Sequence, residues 1–210
     1  MKKRLIMLLL AVALPMGMSA QKVALKTNLA HWASVTPNLA LEVALGPRVT
    51  MDLYGAYNSF DVAKHAKWHH WIAQPELRIW TCESFNGLFF GIHAQGGAYN
   101  LARLNIPKIA WTGQEKFIPG LKDVLNEDGT LREAGRRYEG YYVGGGISIG
   151  YQWLLGKRWN IELSAGGGYN YTWFKKFGGN PCDAEIPVSP NTAHYVGPTK
   201  LTLSIAYFFK

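Results

Sequence analysis

No stretch of this 210-residue chain is long and apolar enough to cross a membrane as a helix. The best candidate, residues 5–18, is broken by Pro15 and Gly17, whereas a spanning helix takes about 20 apolar residues. Cysteine is scarce: Cys82 and Cys182 are the only two, and neither lies near the N-terminus. That argues against a lipid-anchored start. No Gly-x-Ser-x-Gly elbow of serine hydrolases appears: the one run of that pattern, Gly146-Ile-Ser-Ile-Gly150, lies inside the alternating segment 141–153 and not at a strand-to-helix turn. No His, Cys and carboxylate set has the spacing diagnostic of a metal site. These absences remove helical membrane proteins and leave any hydrolase or metal reading without a motif.

What the N-terminus does carry is an export signal. Lys2, Lys3 and Arg4 precede the apolar residues 5–18, and Ser19-Ala20 supplies small residues before a cut at Gln21. Residues 1–20 are therefore read as a signal peptide and 21–210 as one domain. The formal charge is +8, and loss of the three basic residues of the signal leaves about +5. In an exported chain that excess points to anionic lipopolysaccharide and not to nucleic acid. Eight Trp and eleven Tyr suit the interfacial girdles of a membrane barrel.

Residues 200–210 show the clearest structural signal. Leu201, Leu203, Ile205, Tyr207 and Phe209 point one way, and Lys200, Thr202, Ser204 and Ala206 the other, as a strand's period of two requires. Segments 22–29, 38–45, 49–57, 71–79, 88–98, 141–153 and 159–171 repeat the pattern. Pro75 cannot donate to a strand ladder, so a bulge or an open ladder is expected there. Connections alternate in length: 46–47, 81–87 and 154–158 are short, while 58–70, 99–138 and 172–199 are long. The exception is the short connection 32–37. A secreted sandwich gives no reason for this alternation. It fits an all-β fold: an eight-stranded antiparallel up-and-down transmembrane β-barrel with short periplasmic turns and long external loops. Cys82 would then lie in a turn and Cys182 in an external loop, too far apart to bond.

Lys26, Glu42, Asp52, Glu76, Arg78, His93, Glu162 and Lys200 all fall on the face opposite the apolar one. Inside so narrow a barrel these charges must pair, and the expected result is a salt-bridged plug. A gated pore through the same charges is the alternative. An acyl hydrolase needs a Ser and His in contact; His31 with Ser34 is one candidate pair. His65, His69 and His70, with Ser59 and Asp61, form another polar group that also raises a metal reading. Trp68, His69, His70 and Trp71 read more simply as interface anchors at a strand end.

Seven stretches carry a resemblance: Lys26-Thr-Asn-Leu29, Thr36-Pro-Asn-Leu-Ala-Leu-Glu-Val-Ala-Leu-Gly46, Gln74-Pro-Glu-Leu-Arg78, Cys82-Glu-Ser-Phe-Asn-Gly87, Tyr138-Glu-Gly140, Gly150-Tyr-Gln-Trp153 and Gly197-Pro-Thr-Lys200. Together they resemble an uncharacterised domain family of small exported barrels from Bacteroidetes. The resemblance implies an outer-membrane location and, in some genomes, neighbourhood with fimbrial or adhesin genes. It implies no reaction and no catalytic residue. The expectation is a barrel in the outer membrane of a Gram-negative bacterium, without catalytic activity, cofactor or metal. It would be a structural or adhesive anchor whose partners are membrane lipid, lipopolysaccharide and a fimbrial or surface protein. The alternatives are a lipid A acyl hydrolase at the outer rim and a small channel. Ligand preference, where there is one, is expected in residues 101–137.

Overall fold

A computed structural model describes residues 23–63, 66–102, 137–177 and 187–209. The signal segment, His65, most of residues 101–137, and Cys182 lie outside the described residues. Nine strands and one helical turn follow in chain order: β1 (Val23–Asn28), α1 (Leu29–Ala33), β2 (Asn38–Ala44), β3 (Val49–Asn58), β4 (Asp61–Ala63), β5 (Ala66–Trp80), β6 (Gly87–Ala102), β7 (Arg137–Leu154), β8 (Trp159–Phe177) and β9 (Pro187–Phe209).

Eight of these strands make a ring-like antiparallel sheet. Each pairs with its neighbour in sequence from β1 to β9, with β3 pairing directly to β5, and β9 pairs back onto β1. The three-residue β4 sits outside this ring and pairs with the start of β5. Closure gives every ring strand a partner on both sides, although β9 meets β1 only over Ser204–Phe209 and its earlier residues pair on the β8 side alone. Val23 pairs with Phe209, so the first and last described residues lie at the same end, beside the short turns 45–48, 81–86 and 155–158.

The period of two decides what faces where, and the polarity is the reverse of an ordinary core. Lys26, Glu42, Asp52, Glu76, Arg78, Glu162 and Lys200 are buried, whereas Ile147 is 71% exposed, Leu201 65% and Ile92 62%. The strands run further than alternation predicts. Segments 71–79, 141–153, 159–171 and 200–210 become 15, 18, 19 and 23 residues long, and much of the long connections 58–70 and 172–199 is strand, as are residues 99–102 and 137–138 of the connection 99–138. At Tyr99, Tyr138 and Phe174 buried aromatics take the inward positions, so the apolar–polar alternation lapses while backbone pairing continues. Leu29, expected in the first strand, instead opens the helical turn, which Asn28 caps by accepting from the Ala30 N–H at 3.0 Å.

Pro75 is accommodated by an open ladder. On the β3 side it pairs with Leu53, but β5–β6 pairing skips from Ala73↔Gly96 to Glu76↔His93. Between β7 and β8, Gly146 faces Gly168. A Cβ on Gly146 would strike the Gly167 carbonyl oxygen, and one on Gly168 that of Gly145. The strands approach so closely there that only hydrogen fits, and the β8–β9 register shifts at Gly166/Gly167, as strong local bending requires. Gly146→Ala and Gly168→Ala are each expected to destabilise the folded protein by about 1–3 kcal/mol. Gly46→Ala, where nothing lies within 4 Å of the added carbon, should stay within about 0.5 kcal/mol. Denaturant midpoints compare the three.

Candidate functional site

The interior is built in three layers, beginning at the short-turn end with aromatic side chains. Trp80, Phe85 and Phe89 are almost fully buried, with Trp80 and Phe89 ring centroids 4.8 Å apart and Phe85 meeting Phe208 edge-on at 5.0 Å. Phe85 comes from the turn between β5 and β6, which folds back beneath the ring. Its backbone is left-handed (φ 67°), a costly state for a bulky residue. The Ser84 N–H donates to the Pro47 carbonyl at 2.8 Å, and the Asn160 amide to the Phe85 carbonyl at 3.2 Å, holding the turn in place.

Above this floor lies the charge network, centred on Arg78. Its Nε donates to Glu76 at 2.8 Å, Nη1 to Glu42 and Glu162 at 3.0 and 2.9 Å, and Nη2 to Asp52 and Glu162 at 2.7 and 3.0 Å. Lys26 Nζ adds contacts to Glu42 at 2.6 Å, Asp52 at 3.1 Å and Glu162 at 3.1 Å. Lys200 Nζ and the Ser148 hydroxyl both donate to Glu76. The register explains why cations are needed: Glu42 lies opposite Asp52, and Asp52 opposite Glu76, and like charges facing each other across strands repel. Gly91, between Arg78 and Ser148 on the adjoining strands, leaves the space that the Glu76 carboxylate fills. The floor and the network are joined: Trp80 Nε1 donates to Thr50 Oγ1 at 3.0 Å, and Thr50 donates to Glu42 at 2.5 Å. The Arg78 guanidinium also rests 4.4 Å over the Phe89 ring.

Seven of the eight residues expected on the inner face thus meet in one cluster. His93 is the eighth. It sits opposite Glu76 in the register, but its Nε2 pairs with the Thr199 hydroxyl at 2.9 Å and it joins no ion pair among the described residues.

The third layer is a chamber of about 500 Å³ that opens at the end away from the short turns. Tyr54, Gln74 and Gln95 from the ring and His31 and Ser34 from the α1 region line it. Trp68 and His70 line it too, which corrects their reading as interface anchors. On β5 they share the inward parity of Gln74, Glu76 and Arg78, a signal the sequence held. Trp71, 44% exposed, behaves as an exterior residue, and half-buried His69 shares its outward parity.

A family described as "Protein of unknown function (DUF3575)" matches residues 5–209. The chain belongs to this family. No curated protein and no solved structure matches the chain.

For this DUF3575 protein, geometry is therefore the guide to chemistry. His31 Nδ1 is bonded to the Tyr54 hydroxyl, while Ser34 Oγ donates to the His31 backbone carbonyl at 2.9 Å. The imidazole and the serine are neighbours but are not joined as base and nucleophile. Burial, then the nearby His70 imidazole, lowers the His31 pKa below its ordinary value. Among the described residues no group of three or more His, Cys, Asp or Glu could hold a metal ion; His65 lies outside them. Cys82 is exposed in its turn. Arg78→Met, which strips partners from four buried carboxylates, is expected to cost about 3–5 kcal/mol, read from the denaturant midpoint. Phe85→Ala, which empties the floor, should cost a similar amount, about 3–5 kcal/mol.

Proposed function

We propose that this chain is a non-catalytic β-barrel of the outer membrane of a Gram-negative bacterium, of the kind found in Bacteroidetes. It acts as an anchor that presents its long external loops to lipopolysaccharide, a fimbrial component or another surface protein. The observation that carries this reading is the inverted polarity of the ring, bounded by aromatics at two levels. Tyr57, Trp71, Tyr141 and Trp173 lie on one line of cross-strand partners, with Ala98 between Trp71 and Tyr141, and all four aromatics are exposed. Near the short turns, Tyr151 packs on Trp153, and Trp159 on Tyr207 and through it Phe209. Ten positions separate Tyr141 from Tyr151. At about 3.3 Å per residue and a tilt of about 45° that is about 23 Å, close to the roughly 25 Å apolar band of membrane barrels. Between them face Val143, Ile147 and Ile149.

The Arg78 cluster and the aromatic floor close the interior below the chamber, which weighs against a conducting path. The His31–Tyr54 bond weighs against a Ser34 nucleophile. In this reading the short turns are periplasmic and the chamber opens outward.

Ile147 lies midway between Tyr141 and Trp153 and tests the reading directly. In water, Ile147→Arg at so exposed a position should change stability by no more than about 0.5 kcal/mol. At a bilayer midplane it costs about 2–4 kcal/mol. Folding equilibria in lipid vesicles should give the larger value. The smaller one, or a mature protein that is soluble and folded without detergent, would sink the membrane assignment. Crosslinkers placed in residues 101–137 on intact cells should capture a surface partner, and their failure would count against the anchor role.

A further inference from the structure

We propose that the chamber above the charge network binds a neutral sugar of one or two pyranose units. Its volume of about 500 Å³ is that of a small-molecule site, roughly 300–1,000 Å³. The character of the lining narrows the class. Among the described residues no carboxylate lines the chamber, and the one charged side chain there, Lys200, already donates to Glu76. A charged ligand would find no free counter-charge among the described residues.

A hydrocarbon chain is disfavoured for a different reason. Gln74 donates to Gln95 at 2.8 Å, and Gln95 to Asn170 at 2.7 Å, so a row of amides runs from β5 through β6 to β8 along the chamber. Each primary amide has two donor hydrogens and an acceptor oxygen. Covering the positions left over with alkyl groups would cost about 1–3 kcal/mol for each one stripped of water.

A pyranose answers both surfaces, with a C–H face for aromatic rings and hydroxyls for amides. The rings are in place and held firmly. Tyr99 belongs to a buried cluster with Tyr138, Phe174 and Ala193, and Tyr142 packs against it. Trp68, on the opposite side of the β5–β6 pair from β7, adds a third face and a donor. Its Nε1, closed off from water and without a hydrogen-bond partner among the described residues, gains one in this proposal when the indole turns to meet a sugar hydroxyl. The inference goes beyond the anchor role and requires only the ring and its chamber, whichever medium wets the outside.

The test uses the full mature chain folded in an amine-oxide detergent, which has no sugar headgroup. It is titrated calorimetrically with cellobiose, maltose, lactose and N,N′-diacetylchitobiose. At least one should bind saturably, and Trp68→Phe and Gln95→Leu should each weaken it about tenfold or more, about 1.4 kcal/mol. Decanoate and sulfate should not displace it. Heat-modifiable gel mobility establishes that each variant is folded; should Gln95→Leu not fold, Trp68→Phe decides alone. The proposal is overturned if none of the four sugars saturates, if binding survives the variants unchanged, or if decanoate or sulfate displaces the sugar. Failure here leaves the Ile147→Arg result untouched, so the two readings fall separately.

Discussion

The guanidinium of Arg78 reaches carboxylates on β2, β3, β5 and β8, strands that lie around much of the ring, and only a narrow closed sheet permits that reach. Lys26, Ser148 and Lys200 bring in β1, β7 and β9. Seven of the eight ring strands therefore contribute a side chain to one buried cluster. Removing such groups from water is expensive, and the expense is offset only when every member keeps its partners. An open or slipped sheet would leave carboxylates facing each other without the cations between them. The network thus acts less as a source of stability than as a penalty on every alternative register.

Register and polarity are the same fact seen from two sides. Shifting any strand by one residue would turn its charges outward and its Leu, Ile and Val residues inward. It would also break the line that joins Tyr57, Trp71, Tyr141 and Trp173. The Gly146–Gly168 contact adds a steric pin to the β7–β8 pair, where no side chain could be inserted without moving a backbone carbonyl. The aromatic floor completes the enclosure. Phe85 accepts a left-handed backbone because the ring wall supplies Trp80, Phe89 and Phe208 for it to fill against.

Strand existence and facing were legible in the sequence wherever one face was uniformly apolar. The run Lys200 to Phe209 and the inward set Glu42, Asp52, Glu76 and Arg78 needed nothing more than the period of two. Strand length was not legible. At Tyr99, Tyr138 and Phe174 large aromatics turn inward to fill the widened interior, so the polarity contrast that marks a strand disappears. Trp68 and His70 were misread because two aromatics and two histidines in a row resemble a girdle; parity with Gln74 and Arg78 was the available clue. Phe85 was beyond reach, since nothing local reveals that a turn residue with positive φ will fold under the ring. His93 had the right face and the right height, but its bond to Thr199 depends on the bend of β9 near the shift at Gly166/Gly167, which no alternation encodes.

The same period of two ties the chamber to the network beneath it. Asn28 follows Lys26 on β1, Tyr54 follows Asp52 on β3, Gln74 precedes Glu76 on β5, and Gln95 follows His93 on β6. Each pair shares a face, with one residue in or beside the charge layer and the other on the chamber wall. On a strand the two are about 6.6 Å apart and cannot rotate independently. A wall residue is then positioned by the ion pair or hydrogen bond of its neighbour, as a binding surface needs if it is to be preorganised. This arrangement separates two demands that most interiors must satisfy with the same side chains. The layer around Arg78 fixes the register and tolerates little change, whereas Tyr54, Trp68 and Gln95 above it are free to be chosen for what they contact.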